Sequence, residues 1–288
     1  MKPRVGFAGM GIMGKPMAAN IAKAGYDVGV YNRSALQPDS VPGLAILPTA
    51  LELARERDVL LLMVTDPRAL DAVLWGENGM APALGQGKTV INMSTVSPAY
   101  TEEMARKIAA TGADFIDAPV SGSKVPAQQG TLVILAGGSK PVVKALEPVL
   151  LTMGKKVVYC GEAPGGTMMK MAVNLLLAAM MGGLAEMLSF GQAGGLSREA
   201  MLNVVLGGPM SCELFKVKEQ MLLHDTFLAQ FPLKHMAKDL KFVIDTAYAL
   251  NCPAPSAHAN LQLFSQGLAK GLGELDFAAV LQVLEGMQ

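Results

Sequence analysis

Neither sign of charge prevails in this chain, in which 24 lysines and arginines face 24 aspartates and glutamates over 288 residues. Such a balance gives no basic field of the kind that holds nucleic acid or an anionic membrane surface. Cysteine is scarce, and Cys160, Cys212 and Cys252 are odd in number, far apart and without metal-ligand spacing. They support no disulfide framework and no metal site, and read as reduced thiols of a cytoplasmic protein. Long apolar runs are also lacking. Met171 to Ala185, between Lys170 and Glu186 and interrupted by Asn174, is shorter than the roughly 20 residues a bilayer crossing needs and reads as part of a long buried helix. Near the start, a glycine-rich stretch occupies the place where a signal peptide would carry its apolar core.

Glycine, by contrast, is plentiful at 31 residues, and six consecutive positions use it purposefully: Gly9, Met10, Gly11, Ile12, Met13 and Gly14. Arg4 to Ala8 reads as a buried strand before them, and Met17, Ile21 and Ala24 follow at helical spacing. Gly25 ends that helix, and Asp27 to Tyr31 reads as the next strand. Strand, glycine turn, helix and strand within about thirty residues form the fingerprint of a dinucleotide site. Its three glycines allow a tight turn, close approach of a pyrophosphate, and close packing of helix on strand. The pyrophosphate then meets the N–H groups and positive dipole end of the helix. An NAD site places a carboxylate at the end of the second strand to bind the ribose hydroxyls. Here Asn32 and Arg33 stand in that place. A guanidinium binds a 2′-phosphate that a carboxylate would repel, and Asn32 can bond to the same group, so NADP(H) is the expected cofactor.

Strands continue to alternate with helices to about residue 160. Val59 to Val64, Thr89 to Asn92, Asp114 to Ile116, Leu132 to Leu135 and Val157 to Tyr159 read as strands. Met63 and Val64, at the carboxyl end of the first of these, are candidate cofactor contacts. This is an α/β doubly wound pattern. Beyond Gly161 only helical segments remain, roughly 164–194, 197–206, 212–223, 232–250, 255–270 and 276–284. The expected organisation is therefore a dinucleotide-binding domain over 1–162 and a helical domain over 163–288, with the active site in the cleft between them.

Four further segments could carry chemistry. Asp117-Ala-Pro-Val-Ser121-Gly122-Ser123 follows a strand, at the sheet end where such folds bind ligands. It is either a plain structural loop or a nest for a carboxylate, made by the Ser121 hydroxyl and the N–H groups of Gly122 and Ser123. Lys170 enters an apolar helix with Asn174 one turn on, on the same face. It is either a proton donor and acceptor or a lysine snorkelling from the helix start. Asn92 to Pro98 runs into a helix: either Ser97 is its cap or Ser94 and Thr95 reach the cofactor, and the cap reading of Ser97 leaves the cofactor reading open for Thr95. Lys234, Lys238 and Lys241 share a helix face that, by spacing alone, is solvated.

In this order, Gly9 to Gly14, Met93 to Pro98, Asp117 to Ser123, Gly166 to Lys170 with Asn174, and Phe231 to Leu240 resemble the β-hydroxyacid dehydrogenase family over nearly the whole chain. Asn32-Arg33 and the Phe231 segment most resemble its NADPH-dependent glyoxylate/succinic semialdehyde reductases. The resemblance implies a Rossmann domain followed by an all-helical domain, assembled as homodimers or homotetramers. It implies Lys170 as catalytic acid/base, Asn174 as substrate support, and Ser121-Gly122-Ser123 as the grip on the substrate carboxylate. It implies cofactor contacts near the nicotinamide from Thr95 and Lys238, with Phe231 alongside. The expected reaction is reduction of a small carboxylate-bearing aldehyde to the hydroxy acid. The alternative is oxidation of a 3-hydroxy acid by a 3-hydroxyisobutyrate-type enzyme, which would keep an acid after the second strand. A non-catalytic binding protein on this scaffold, or an imine reductase, is opposed by the presence of Lys170. Two departures stand out: Val173 where many relatives are polar, and a short 34–47 segment on the adenosine side.

Overall fold

The computed structural model describes residues 2–286, and the chain divides into two compact units, 1–170 and 171–288. In the first unit, β1 (Val5–Ala8), α1 (Gly14–Lys23), β2 (Val28–Tyr31), the two-residue β3 (Ala45–Ile46), α2 (Ala50–Glu56) and β4 (Val59–Leu62) come first. Then follow α3 (Pro67–Trp75), β5 (Thr89–Asn92), α4 (Pro98–Ala109), β6 (Asp114–Asp117), β7 (Val120–Ser121), α5 (Lys124–Gln129), β8 (Leu132–Gly138), α6 (Lys140–Leu150) and β9 (Gly154–Tyr159). The sheet runs β3-β2-β1-β4-β5-β6-β8-β7, with β9 also paired to β8.

Strand β4 shows why these sequences form a covered sheet. Leu60 and Leu62 join one core with Leu53 of α2, Leu70 and Leu74 of α3, and Met104 and Ile108 of α4. Val59 and Leu61 join the other with Met17 and Ile21 of α1 and Val143 and Leu146 of α6. Successive side chains thus enter opposite layers, so a continuous apolar run is what the site demands. Thr49, Asp66 and Ser97 each cap the following helix by accepting the N–H three residues on. From β3 to β6 every pairing is parallel. The edge differs from the simple parallel expectation, because β8 runs antiparallel to β6 and β7. The six-residue α5 is too short for a parallel crossover, so the chain returns reversed.

Helix α7 (Gly165–Ala193) begins in the first unit and continues in the second, where α8 (Arg198–Gly207), α9 (Glu213–His224), α10 (Leu233–Ala249), α11 (Pro255–Ala269) and α12 (Leu281–Glu285) follow. The sequence places a domain boundary at 162/163; the compact units divide after residue 170, inside α7. The compositional change marks where strands stop, whereas packing carries the first turn of the helix with the sheet. Among the described residues α7 is the one helix long and apolar enough to cross a membrane, with a window of mean hydropathy 1.7 of which 44% is buried. It also supplies Met171, Met181, Leu184 and Leu188 to the core of the second unit. There they pack in one cluster with Leu202, Phe215, Leu240, Phe264 and Phe277. Lys218 and Asp276 lie within the same unit as a buried ion pair, Nζ to Oδ1 2.8 Å.

Candidate active site

The three glycines of the first turn do three different things. At Gly9, with φ +99°, a Cβ would fall 2.2 Å from the Met63 carbonyl oxygen, and at Gly14 one would fall 1.9 Å from the Gly9 oxygen. Nothing lies within 4 Å of a Cβ placed on Gly11. The outer glycines therefore close the turn and press α1 onto β1, while the middle one faces open space where a pyrophosphate can approach. Met10 is buried, Met13 half-buried and Ile12 exposed. These residues fit a dinucleotide.

Asn32 has a task that sequence spacing does not reveal. Its Oδ1 accepts from Met10 N (3.0 Å) and its Nδ2 donates to the Ser34 oxygen (3.0 Å). The amide braces the glycine turn against the second strand end, so both its polar atoms are engaged within the protein. The Arg33 guanidinium is exposed and forms no ion pair among the described residues. Met63 N donates to the Ala8 oxygen (2.9 Å), and Val64 N donates to Ser94 Oγ at the neighbouring strand end (2.9 Å). Met63, Val64 and Thr95 are each half-buried at these strand ends. They line the carboxyl edge of the sheet beside the glycine turn.

At the far side of that edge, Lys170 and the 120–123 loop come together. Lys170 is buried, and its Nζ donates to the Val120 oxygen at 2.8 Å. Ser121 and Ser123 are half-buried and Gly122 is exposed with φ +128°. Three residues before Val120, the wholly buried Asp117 accepts from Thr167 N (2.6 Å) and Thr167 Oγ1 (2.7 Å). Burial pushes its carboxyl up to about 6, against the opposing pull of the Thr167 and Gly166 donors.

In the second unit, Asn174 is buried and its Nδ2 donates to Asp239 Oδ2 at 2.7 Å. Asp239 was not singled out by the sequence, because its partner lies 65 residues away. Lys238 is half-buried, with Nζ 3.5 Å from Asp239 Oδ1 and 5.4 Å from the Phe242 ring. Phe231 is half-buried, and its N–H donates to Asp276 Oδ2 at 3.1 Å. Burial, and then the charges of Lys238 and Lys234, pull the nearby His235 below the usual imidazole range. One groove of about 600 Å³ lies between the end of α10 and the start of α11 and another of about 510 Å³ lies along α11, and none of the candidate residues lines either.

Residues 4–161 match the family described as the NAD binding domain of 6-phosphogluconate dehydrogenase. Residues 165–284 match that described as the NAD-binding domain of NADP-dependent 3-hydroxyisobutyrate dehydrogenase. The chain belongs to the β-hydroxyacid dehydrogenase family. As a member it is an NAD(P)-dependent oxidoreductase acting on CH–OH groups of small molecules. It is 36% identical over 283 residues to the chloroplastic glyoxylate/succinic semialdehyde reductase 2 of Arabidopsis thaliana, covering 98% of this chain and 79% of that protein. It is 32% identical over 285 residues to 2-hydroxy-3-oxopropionate reductase of Escherichia coli, covering 99% and 98%. Among solved β-hydroxyacid dehydrogenases, the Mycobacterium tuberculosis 3-hydroxyisobutyrate dehydrogenase with L-serine superposes with TM-score 0.86 at 27% identity, covering 99% of both chains.

Proposed function

We propose that this β-hydroxyacid dehydrogenase reduces a small carboxylate-bearing aldehyde, succinic semialdehyde or glyoxylate, with NADPH, and that Lys170 is the general acid. The observation that carries the reading is the Lys170 Nζ bond to the Val120 oxygen, adjoining Ser121 and Gly122. When bound, the nicotinamide cofactor supplies the hydride. Lys170, as ammonium, gives a proton to the carbonyl oxygen as that oxygen gains charge, a contribution of about 10² to 10⁴ in rate. The Ser121 hydroxyl and the N–H groups of Gly122 and Ser123 hold the substrate carboxylate, and Asn174 steadies the substrate. The substrates in the relatives' names support the class: glyoxylate, succinic semialdehyde and 2-hydroxy-3-oxopropionate each carry both a carbonyl and a carboxylate. Arg33 takes the 2′-phosphate; Thr95, Met63, Val64, Phe231 and Lys238 complete the cofactor contacts in this reading.

Oxidation of a 3-hydroxy acid is the second reading, favoured by the match over 165–284. Initial rates with glyoxylate, succinic semialdehyde and 2-hydroxy-3-oxopropionate, each with NADPH and NADH, set against 3-hydroxyisobutyrate with the oxidised cofactors, separate the two. Fastest turnover of an aldehyde with NADPH is expected; preference for 3-hydroxyisobutyrate with NAD would overturn the reductase assignment. A charge-assisted bond to the 2′-phosphate is worth about 1.5–3 kcal/mol. Arg33→Ala should therefore raise KM for NADPH by about 10- to 150-fold and leave KM for NADH nearly unchanged. Equal changes for both cofactors would refute the role of Arg33.

A further inference from the structure

Three polar side chains meet from three separate segments: Thr101 of α4, Thr167 of α7 and Asp117 of β6. All three are buried. Thr167 Oγ1 donates to Asp117 Oδ1 and lies 3.0 Å from Thr101 Oγ1. A hydroxyl has one hydrogen to give. That of Thr167 goes to the carboxylate, so Thr101 must donate to Thr167, and the chain runs in one direction from α4 to β6. The backbone N–H groups of Gly166 and Thr167, left without partners at a helix start, also point to Asp117. Glycine makes the approach possible. A Cβ on Gly166 would stand 2.4 Å from the carbonyl oxygens of both Asp117 and Leu135.

The same two segments are tied a second time. Val120 lies three residues after Asp117, and Lys170 three residues after Thr167, on one face of the helix. Asp117 is bonded to Thr167, and the Val120 oxygen to Lys170 Nζ. Segments 117–120 and 167–170 are thus laced at two rungs, one dry and structural, the other carrying the lysine.

We propose that the Thr101–Thr167–Asp117 chain is a positioning unit that fixes the first turn of α7 and so sets where Lys170 presents its ammonium against the 120–123 loop. This rests on the reading of Lys170 as general acid. Asp117 touches neither substrate nor cofactor and acts through the helix. The ionised carboxylate accepts from all three donors; once protonated it becomes a donor itself, and the Thr167 hydroxyl is released to turn toward Thr101. The groups facing it are Gly166 and Thr167 from α7, with Lys170 one turn along and directed to Val120. From the β9–α7 segment comes the Cys160 thiol, pushed up by burial and by this carboxylate.

The test uses the full-length enzyme with NADPH and its best aldehyde, with Asp117→Asn, Thr167→Val and Thr167→Ser beside Lys170→Ala. For Thr167→Val a fall in kcat of about 10- to 100-fold is expected, since displacements near 1 Å can cost that much. Aldehyde KM and NADPH affinity should hold, and Thr167→Ser should restore kcat. In the wild type, kcat should decline as pH falls through about 6, and Asp117→Asn should lose that limb. Wild-type kcat in Thr167→Val, or a parallel loss of kcat and NADPH affinity that serine does not rescue, overturns the proposal. The Thr167 pair carries the test where Asp117→Asn fails to fold. Activity surviving in Lys170→Ala sinks the reading of the lysine; an inactive Lys170→Ala beside an unaffected Thr167→Val sinks the positioning unit alone.

Discussion

In the first unit Asp117 is held by neutral donors alone among the described residues, the backbone of Gly166 and Thr167 and one hydroxyl. In the second, Asp276 is equally buried but meets Lys218, together with the N–H groups of Gln230, Phe231 and Ala278. Both carboxylates organise the approach to a helix, α7 in one case and α10 in the other. With a cation in place, the second is a fixed brace for the Phe231 segment, and the pair depends on both partners. The first has no cation to hold its charge, so burial lifts its carboxyl to about 6, where proton uptake near neutrality can alter the contact. Two similar buried acids thus do different work, and the difference lies in what faces them.

The contrast is most exposed to a change at Lys218. Lys218→Met keeps the apolar stem and leaves Asp276 buried without its cation, and a loss of about 3–5 kcal/mol is expected in urea unfolding. A loss below about 1 kcal/mol would erase the distinction between the two sites.

Next in size is the pH dependence at Asp117. Its carboxyl stands at about 6 in the fold against an ordinary 3.8. Between those values the native protein holds the proton that the unfolded chain has released. Its contribution to stability therefore falls as pH rises from about 4 to about 6 and is level above that. The whole step is about 3 kcal/mol at most. Asp117→Asn has nothing to ionise, so stability measured against wild type should move in favour of the variant across that window. Taking the difference cancels Asp58 and Glu103, whose carboxyls Arg4 and Lys107 hold low. A difference that stays flat with pH contradicts the account of Asp117. Smallest is Thr101→Val, which removes the last donor of the chain and should cost about 1 kcal/mol by thermal unfolding.

The fold was largely legible because its signals are local. Burial on both faces makes Val59 to Leu62 a continuous apolar run, and the glycine turn needs its glycines where backbone approaches backbone. The two-residue strands β3 and β7 have too little sequence to show a period. The reversal of β8 follows from a short connection rather than from any residue in the strand. In the candidate site, Lys170 and Ser121 stand out by their neighbours, a lysine entering an apolar helix and a hydroxyl in a glycine turn after a strand. What Asn32, Asp117 and Asn174 bond to could not be read in this way, since Met10, Thr167 and Asp239 are 22, 50 and 65 residues distant. A carboxylate closing an apolar strand was the one visible hint at Asp117. Nothing in the sequence pairs Lys218 with Asp276.

Lys170 is the hinge of the functional account, and one paired measurement on Lys170→Ala tests it: steady-state reduction of succinic semialdehyde or glyoxylate, with NADPH binding followed by fluorescence in the same preparation. Turnover should fall by about 10² to 10⁴ with NADPH affinity unchanged. Turnover within a few-fold of wild type would contradict the role of Lys170 as general acid.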